Sequence, residues 1–242
     1  MTIQPRVMRG KVELIVPHHD KEISFIHPSE GPNTYQEVGK AILGRGLRLP
    51  TGEETASLVY SAYNSEEPEF KEIRQIMRDG WLWVFNRNLW TDKGVYVQED
   101  MEAKGMSEKI EVKGLEKRLD GGKEVNGIRF SKDSTLRFAP KETYNPEGNL
   151  EPDALAKDGF VIASYGKEGA EKLGEVAKKF SHKSYLWTLK DIQGPVQRVS
   201  ALDEDYCGSG LGVYGNDGGY DWGGRAFGVR KTSEAGSHSR KK

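Results

Sequence analysis

Aspartate, tyrosine, asparagine, serine and glycine crowd one stretch near the C-terminus, DEDYCGSGLGVYGNDGGYDWGG, from Asp203 to Gly224. These are the residue types of antibody-like contact surfaces. Tyrosine and tryptophan supply wide amphipathic area at low rotamer cost, and the small polar residues supply adaptable hydrogen bonds. Tyr206, Tyr214, Tyr220 and Trp222 are the candidate anchors of such a surface. Asp203, Asp205, Ser209, Asn216, Asp217 and Asp221 are its candidate polar and charged contacts. No basic residue interrupts the stretch before Arg225, so it suits a ligand with a basic patch. Disordered linkers are poor in aromatics, which sets this stretch apart from them.

Other chemistries fit it less well. GSGLGVYG has the glycines of a phosphate cradle, but no helix follows whose N-terminus would hold the phosphate. Asp203, Glu204, Asp205, Asp217 and Asp221 would also repel one. GNDGGYD resembles a fragment of a calcium-binding glycine/aspartate repeat, an architecture that needs several stacked copies where this chain has one. Nothing elsewhere matches a GxSxG elbow, an HExxH helix or a Walker A loop, so no catalytic residue and no cofactor is expected. His18, His19 and His27 invite a metal reading; adjacent histidines on a turn are expected to converge poorly on one ion, so no metal ligand is assigned. Cys207 is the single cysteine, which excludes an internal disulfide and a cysteine-based zinc site.

The elements that must position these residues are read from periodicity. VQRVSAL and RAFGVRK flank the stretch and alternate like strands. Between them the chain is too glycine-rich for a helix and too irregular for a buried strand, so a long functional loop is expected. Upstream, runs at Val12–Val16 and Ile23–Ile26 predict a hairpin. Three helices follow: TYQEVGKAIL, capped by Asn33 or Thr34; one within LRLPTGEETASLVYSAYN, with Thr51 and Glu54 as a capping box; and PEFKEIRQIMRDG. Glu53 and Glu54 are thus helix-start residues rather than a catalytic pair. WLWVF and GVYVQ read as two strands of a hairpin with a wide loop, NRNLWTDK. Residues 104–157 are highly charged and read as peripheral, with a short helix at Leu115 and Leu119 and a hairpin in NGIRFSKDSTLRFAP. GFVIASY reads as a buried strand, EGAEKLGEVAKKF as an amphipathic helix and YLWTL as a further strand. The class is α+β.

At 242 residues, with 36% hydrophobic and 30% charged, the chain can bury a sizeable core. A net charge of -1 argues against a nucleic-acid partner bound by phosphate neutralisation. No stretch has signal-peptide or bilayer-spanning character, so the expectation is no membrane insertion and a cytoplasmic location by default.

Two stretches carry a family resemblance. RLPTGEETASL resembles the helix-opening motif of C-type lectin-fold proteins of the formylglycine-generating-enzyme type, and RAFGVRK resembles their closing strand. Between them, the glycine-rich stretch resembles the variable region of a diversity-generating retroelement variable protein. The whole chain is similar to hypothetical proteins of archaeal retroelements in WLWVFNRNLW, NGIRF, RFAP and DGFVIASYG. The resemblance implies a single C-type lectin-like domain over 1–242, of mixed antiparallel sheets with flanking helices. It would carry an insertion at about 104–190 and a variable region at 199–229. It further implies that error-prone reverse transcription at template adenines rewrites codons there; AAC-type codons then yield Asn, Asp, Ser, Gly, Tyr and Cys. The implied function is display of a hypervariable surface for a protein or other macromolecular ligand. An oxidative enzyme of the formylglycine-generating type and a passive viral or surface structural protein are the alternatives. Lectin calcium and sugar motifs, and the enzymes' catalytic cysteines, have no counterpart in this chain.

Overall fold

The computed structural model describes residues 6–8, 13–204 and 210–231. The chain opens with β1 (Arg6–Met8), β2 (Glu13–His18) and β3 (Lys21–Glu30), paired antiparallel in that order. Leu14, Val16 and Phe25 of the predicted hairpin point into the main core. The three expected helices follow as α1 (Tyr35–Gly44), α2 (Gly52–Tyr63) and α3 (Pro68–Asp79). The capping box of α2 is present: Thr51 Oγ1 accepts from Glu54 N at 3.2 Å, and Glu54 Oε2 accepts from Thr51 N at 2.9 Å. Arg48 grips the same carboxylate with both terminal nitrogens at 2.6 Å. That locks Glu54 into structural work, as a helix-start residue should be.

The next strands correct the first expectation. NRNLWTDK is not a wide loop: β4 (Leu82–Thr91) runs straight through it and turns tightly into β5 (Gly94–Glu99). Polar residues survive in the middle of this buried strand because their donor groups find partners. Asn88 Nδ2 donates to Ser200 Oγ at 2.9 Å and to Gly215 O at 3.0 Å, and Trp90 Nε1 donates to Gly215 O at 2.8 Å. Then come α4 (Val112–Leu119), β6 (Lys123–Val125), β7 (Ile128–Phe130), β8 (Leu136–Pro140), β9 (Gly148–Leu150) and a short α5 (Pro152–Leu155).

GFVIASY is a second correction. It forms the first turns of α6 (Gly159–Ala177), started by Asp158, whose side chain accepts from Phe160 N and Val161 N. The run is buried on every side, so it shows no helical period, and a short apolar run of that kind cannot be told from a strand by pattern. A kink at Gly166, with φ of 69°, joins it to the amphipathic part.

The last strands are β10 (Ser184–Trp187), β11 (Val196–Glu204), β12 (Leu211–Asp217) and β13 (Ala226–Val229). β12 is the third correction, since seven residues of the expected loop are a sheet-interior strand. Its glycines serve close approach rather than flexibility. A Cβ at Gly215 would stand 2.1 Å from the Phe160 ring, and one at Gly212 would stand 2.0 Å from Asp203 Oδ1.

Two sheets result. One has the order β1-β2-β3-β13, and the other β6-β7-β8-β5-β4-β11-β12-β10-β9. Among the described strands, β10–β12 is the parallel pair and the rest are antiparallel. Strand alternation splits the core of the large sheet. Leu82, Val84, Leu202 and Val213 join α2, α3 and α6 in the main cluster, while Trp83, Phe85, Val199 and Ala201 join α1 in the second. Among the described residues, no helix is long and apolar enough to cross a membrane.

Candidate ligand-binding face

The α1 side of the large sheet carries a strip of rings. Trp187 pairs with Tyr214, Tyr214 with Ala201, and Ala201 with Trp83, so all four share one face. One step along, Tyr185, Gly212 and Asp203 are likewise aligned on it. Their strand neighbours Leu186, Val213 and Leu202 are fully buried on the helix-covered side. Tyr185, Trp187 and Tyr214 instead remain half-buried, as does Trp81 at the entry to β4. Tyr214 is the hub of the strip. Its ring lies 4.4 Å from that of Trp81, edge-on at 74°, and 5.4 Å from that of Trp187, stacked at 10°. Tyr185 adds to the far end, 4.5 Å from Trp187. The Tyr214 hydroxyl donates to Asp203 Oδ2 at 3.0 Å, joining β12 to β11 beside their connection. Just before that connection, buried Glu204 accepts from the Tyr63 hydroxyl at 2.5 Å and from Arg78 Nε at 3.2 Å.

The segment from 218 to 224 crosses the end of the strip and is held at both ends. Gly219 O accepts from Tyr35 N at 3.2 Å, and Gly224 O accepts from Asn33 N at 2.9 Å. Asp217 Oδ1 accepts from Gly219 N at 2.6 Å, and Asp221 Oδ1 from Gly223 N at 2.7 Å. Asp221 Oδ2 accepts from Trp81 Nε1 at 2.8 Å. Burial raises the Asp217 carboxyl above the usual aspartate range; the Gly219 N–H opposes this and the charge of Asp221 adds to it. Between these ties, Tyr220 is 69% and Trp222 70% exposed, the most exposed large hydrophobic side chains among the described residues. A cleft of about 430 Å³ beside Gly223 is lined by Pro32, Ile76, Asp79 and Arg225.

Seven of the expected contact residues thus fall on the described face or its bounding loop: Asp203, Tyr214, Asn216, Asp217, Tyr220, Asp221 and Trp222. Asp205, Tyr206 and Ser209, with Cys207, lie outside the described residues. Trp81, Tyr185 and Trp187 were not among the expected contacts. The legible signal for the last two was a pair of large aromatics two apart in a strand, which places both rings on one face.

The histidines differ from expectation. His18 and His19 stand with ring centroids 4.3 Å apart, next to Glu53. Burial, then the neighbouring His19, pushes His18 down to about 4. His27 lies apart from them, with Nε2 2.7 Å from Glu72 Oε2.

No protein-family model matches the sequence, and no curated protein matches it. The chain is similar to a solved structure described as the accommodation of massive sequence variation in Nanoarchaeota by the C-type lectin fold. The two are 13% identical, the match covers 84% of this chain and 98% of that one, and the TM-score is 0.48.

Proposed function

We propose that this chain is a binding protein, not an enzyme, whose ligand face is formed by residues 203–222 together with Trp81, Tyr185 and Trp187. The observation that carries the reading is the presentation of Tyr220 and Trp222. Two large aromatics are held about 70% exposed by a segment whose own backbone is bonded to Asn33 and Tyr35. Exposed apolar rings on a pre-ordered support lose little entropy on binding, and such rings are the usual energetic centres of protein interfaces. The carboxylates around them favour a protein ligand with a basic patch. Asp203, Asp217 and Asp221 are each tied by hydrogen bonds within the face, to Tyr214, Gly219 and Trp81, which suits a rigid contact surface better than proton transfer.

The scaffold is proposed to be C-type lectin-like and the face to be diversified by a retroelement, on the strength of the sequence resemblance. Sequencing the gene and its neighbourhood in several isolates tests this. Substitutions confined to codons 203–221, at positions that are adenine in a nearby near-copy, are the expected result. A face identical in every isolate, with no near-copy and no reverse transcriptase gene nearby, would overturn the diversification.

A further inference from the structure

The turn between β2 and β3 does more than reverse the chain. One nitrogen from His18, one from His19 and one oxygen from Glu53 lie within 4.8 Å of one another. Consecutive strand residues normally point to opposite faces. His19 lies just past the end of β2 in the turn, with a φ of 49°, a left-handed conformation uncommon outside glycine, and its ring comes to lie beside that of His18.

Hydrogen bonding accommodates a His18 that offers its Nε2. The Ser57 hydroxyl has a single proton, which it donates to Glu53 O at 3.1 Å, and it accepts from Lys172 Nζ at 2.9 Å. In the tautomer in which His18 Nδ1 donates to the same oxygen, 3.0 Å away, its Nε2 keeps a bare lone pair. His19 is arranged in the same sense. Its Nδ1 meets Glu168 Oε2 at 2.5 Å, while its Nε2 faces Glu53 Oε1 at 3.5 Å. Ligand atoms about 2.0–2.2 Å from a tetrahedral metal stand about 3.3–3.6 Å from each other, so that last distance is already one edge of a coordination tetrahedron.

The surroundings support the ligands. A carboxylate behind a histidine is the usual outer-shell partner that orients a metal-binding ring. Glu168 fills that place and is itself held by Lys172 at 2.6 Å, which also neutralises the nearby ammonium. Room for the Glu53 carboxylate comes from the α6 kink, since a Cβ at Gly166 would stand 2.6 Å from Glu53 Oε1. Half of the His19 side chain is exposed, at 49%, which gives an ion a way in.

We propose that His18, His19 and Glu53 bind one divalent cation of the zinc class, leaving a fourth position to solvent. Two imidazoles and a carboxylate suit zinc and its neighbours, whereas calcium and magnesium call for shells built mostly of oxygen. The ion would staple the β2–β3 turn to the start of α2 and, through Glu168, to α6. The site shares no residue with the aromatic face and is independent of the proposed function.

The test is zinc titration of the full chain after chelator treatment, read by calorimetry and by metal content after gel filtration. One zinc per chain is expected. His19→Asn, which tolerates the left-handed turn, and Glu53→Gln should each weaken binding at least about tenfold. Glu168→Gln should weaken it by about tenfold through the orientation of His19 alone. His27→Asn should leave it unchanged. Cobalt supplies a second readout, a visible absorption in the parent that His19→Asn abolishes, and circular dichroism verifies that each variant is folded. Absence of saturable zinc binding by the parent would overturn the proposal. Binding that His19→Asn and Glu53→Gln leave intact would overturn it equally, by placing the ion elsewhere.

Discussion

The indole of Trp81 donates to the carboxylate of Asp221 at 2.8 Å, across 140 residues of sequence. The same ring packs edge-on against Tyr214, so one side chain fastens the bounding loop to the strip of rings. Trp81→Phe keeps an aromatic edge and deletes the donor. It should cost about 0.5–1 kcal/mol in denaturant unfolding, at the lower end of hydrogen-bond contributions because the pair is exposed. Asp221→Ala should cost about the same, and Trp81→Phe with Asp221→Ala together should cost clearly less than the sum. Strict additivity would show that the bond contributes nothing.

Gly224 touches the scaffold where it has no slack. A Cβ there would stand 1.9 Å from Trp83 Nε1, the atom that donates to Asn33 O at 3.0 Å. Trp83 is fully buried and cannot step aside. Gly224→Ala should therefore destabilise the fold by about 1–3 kcal/mol, the range for overpacking a filled core. Thermal melting measures it. A variant that melts with the parent would show that the Trp83 indole can move.

How much of this was legible depended on how local each cause was. Thr51 and Glu54 announced the start of α2 because a capping box is written within four residues. Phe70, Ile73, Ile76 and Met77 announced α3 because one face of that helix is wet and the other buried. GFVIASY gave no such contrast, since Phe160 to Tyr165 are buried on all sides against several elements. β12 was hidden for another reason. The residues that demand glycine at 212 and 215, Asp203 and Phe160, belong to other elements, so the glycines looked like a loop. Tyr214, Tyr220 and Trp222 could be named as contacts from composition, but the partnership of Tyr214 with Trp187 and Trp81 required the strand order.

Asp217 gives a pH signature. Its folded pKa is raised above the ordinary 3.8, chiefly by burial, so the charged form is disfavoured in the native state. The sign follows from linkage. The stability tied to its proton is fully present below the unfolded value, and is lost as pH rises through the raised folded value. Asp217→Asn keeps an acceptor for the Gly219 N–H and removes the charge. Its stability relative to the parent should be lowest in acid, rise as pH passes upward from 3.8 through the raised folded value, and level off above it. Glu99 and Asp158, also raised by burial, titrate in both proteins and cancel in that difference. A difference that stays flat with pH would mean that Asp217 ionises as freely folded as unfolded.

Tyr220 and Trp222 separate the folding role of the face from its binding role. Their side chains are 69% and 70% exposed, and truncating them uncovers little of the core. The loop keeps its course without them, because the bonds that hold it come from Gly219 O, Gly224 O, Asp217 and Asp221. The double change to alanine should therefore shift unfolding free energy by less than about 0.5 kcal/mol. Binding should respond very differently. A peptide or domain selected against the parent from a displayed library should bind the double variant weaker by at least about 2 kcal/mol, roughly 30-fold, as expected when central aromatic anchors are removed. Its sequence should also be rich in lysine or arginine. A selected partner indifferent to both rings would place the ligand face elsewhere. A double variant that loses several kcal/mol would make the rings part of the fold, and the exposed aromatics would no longer argue for a ligand.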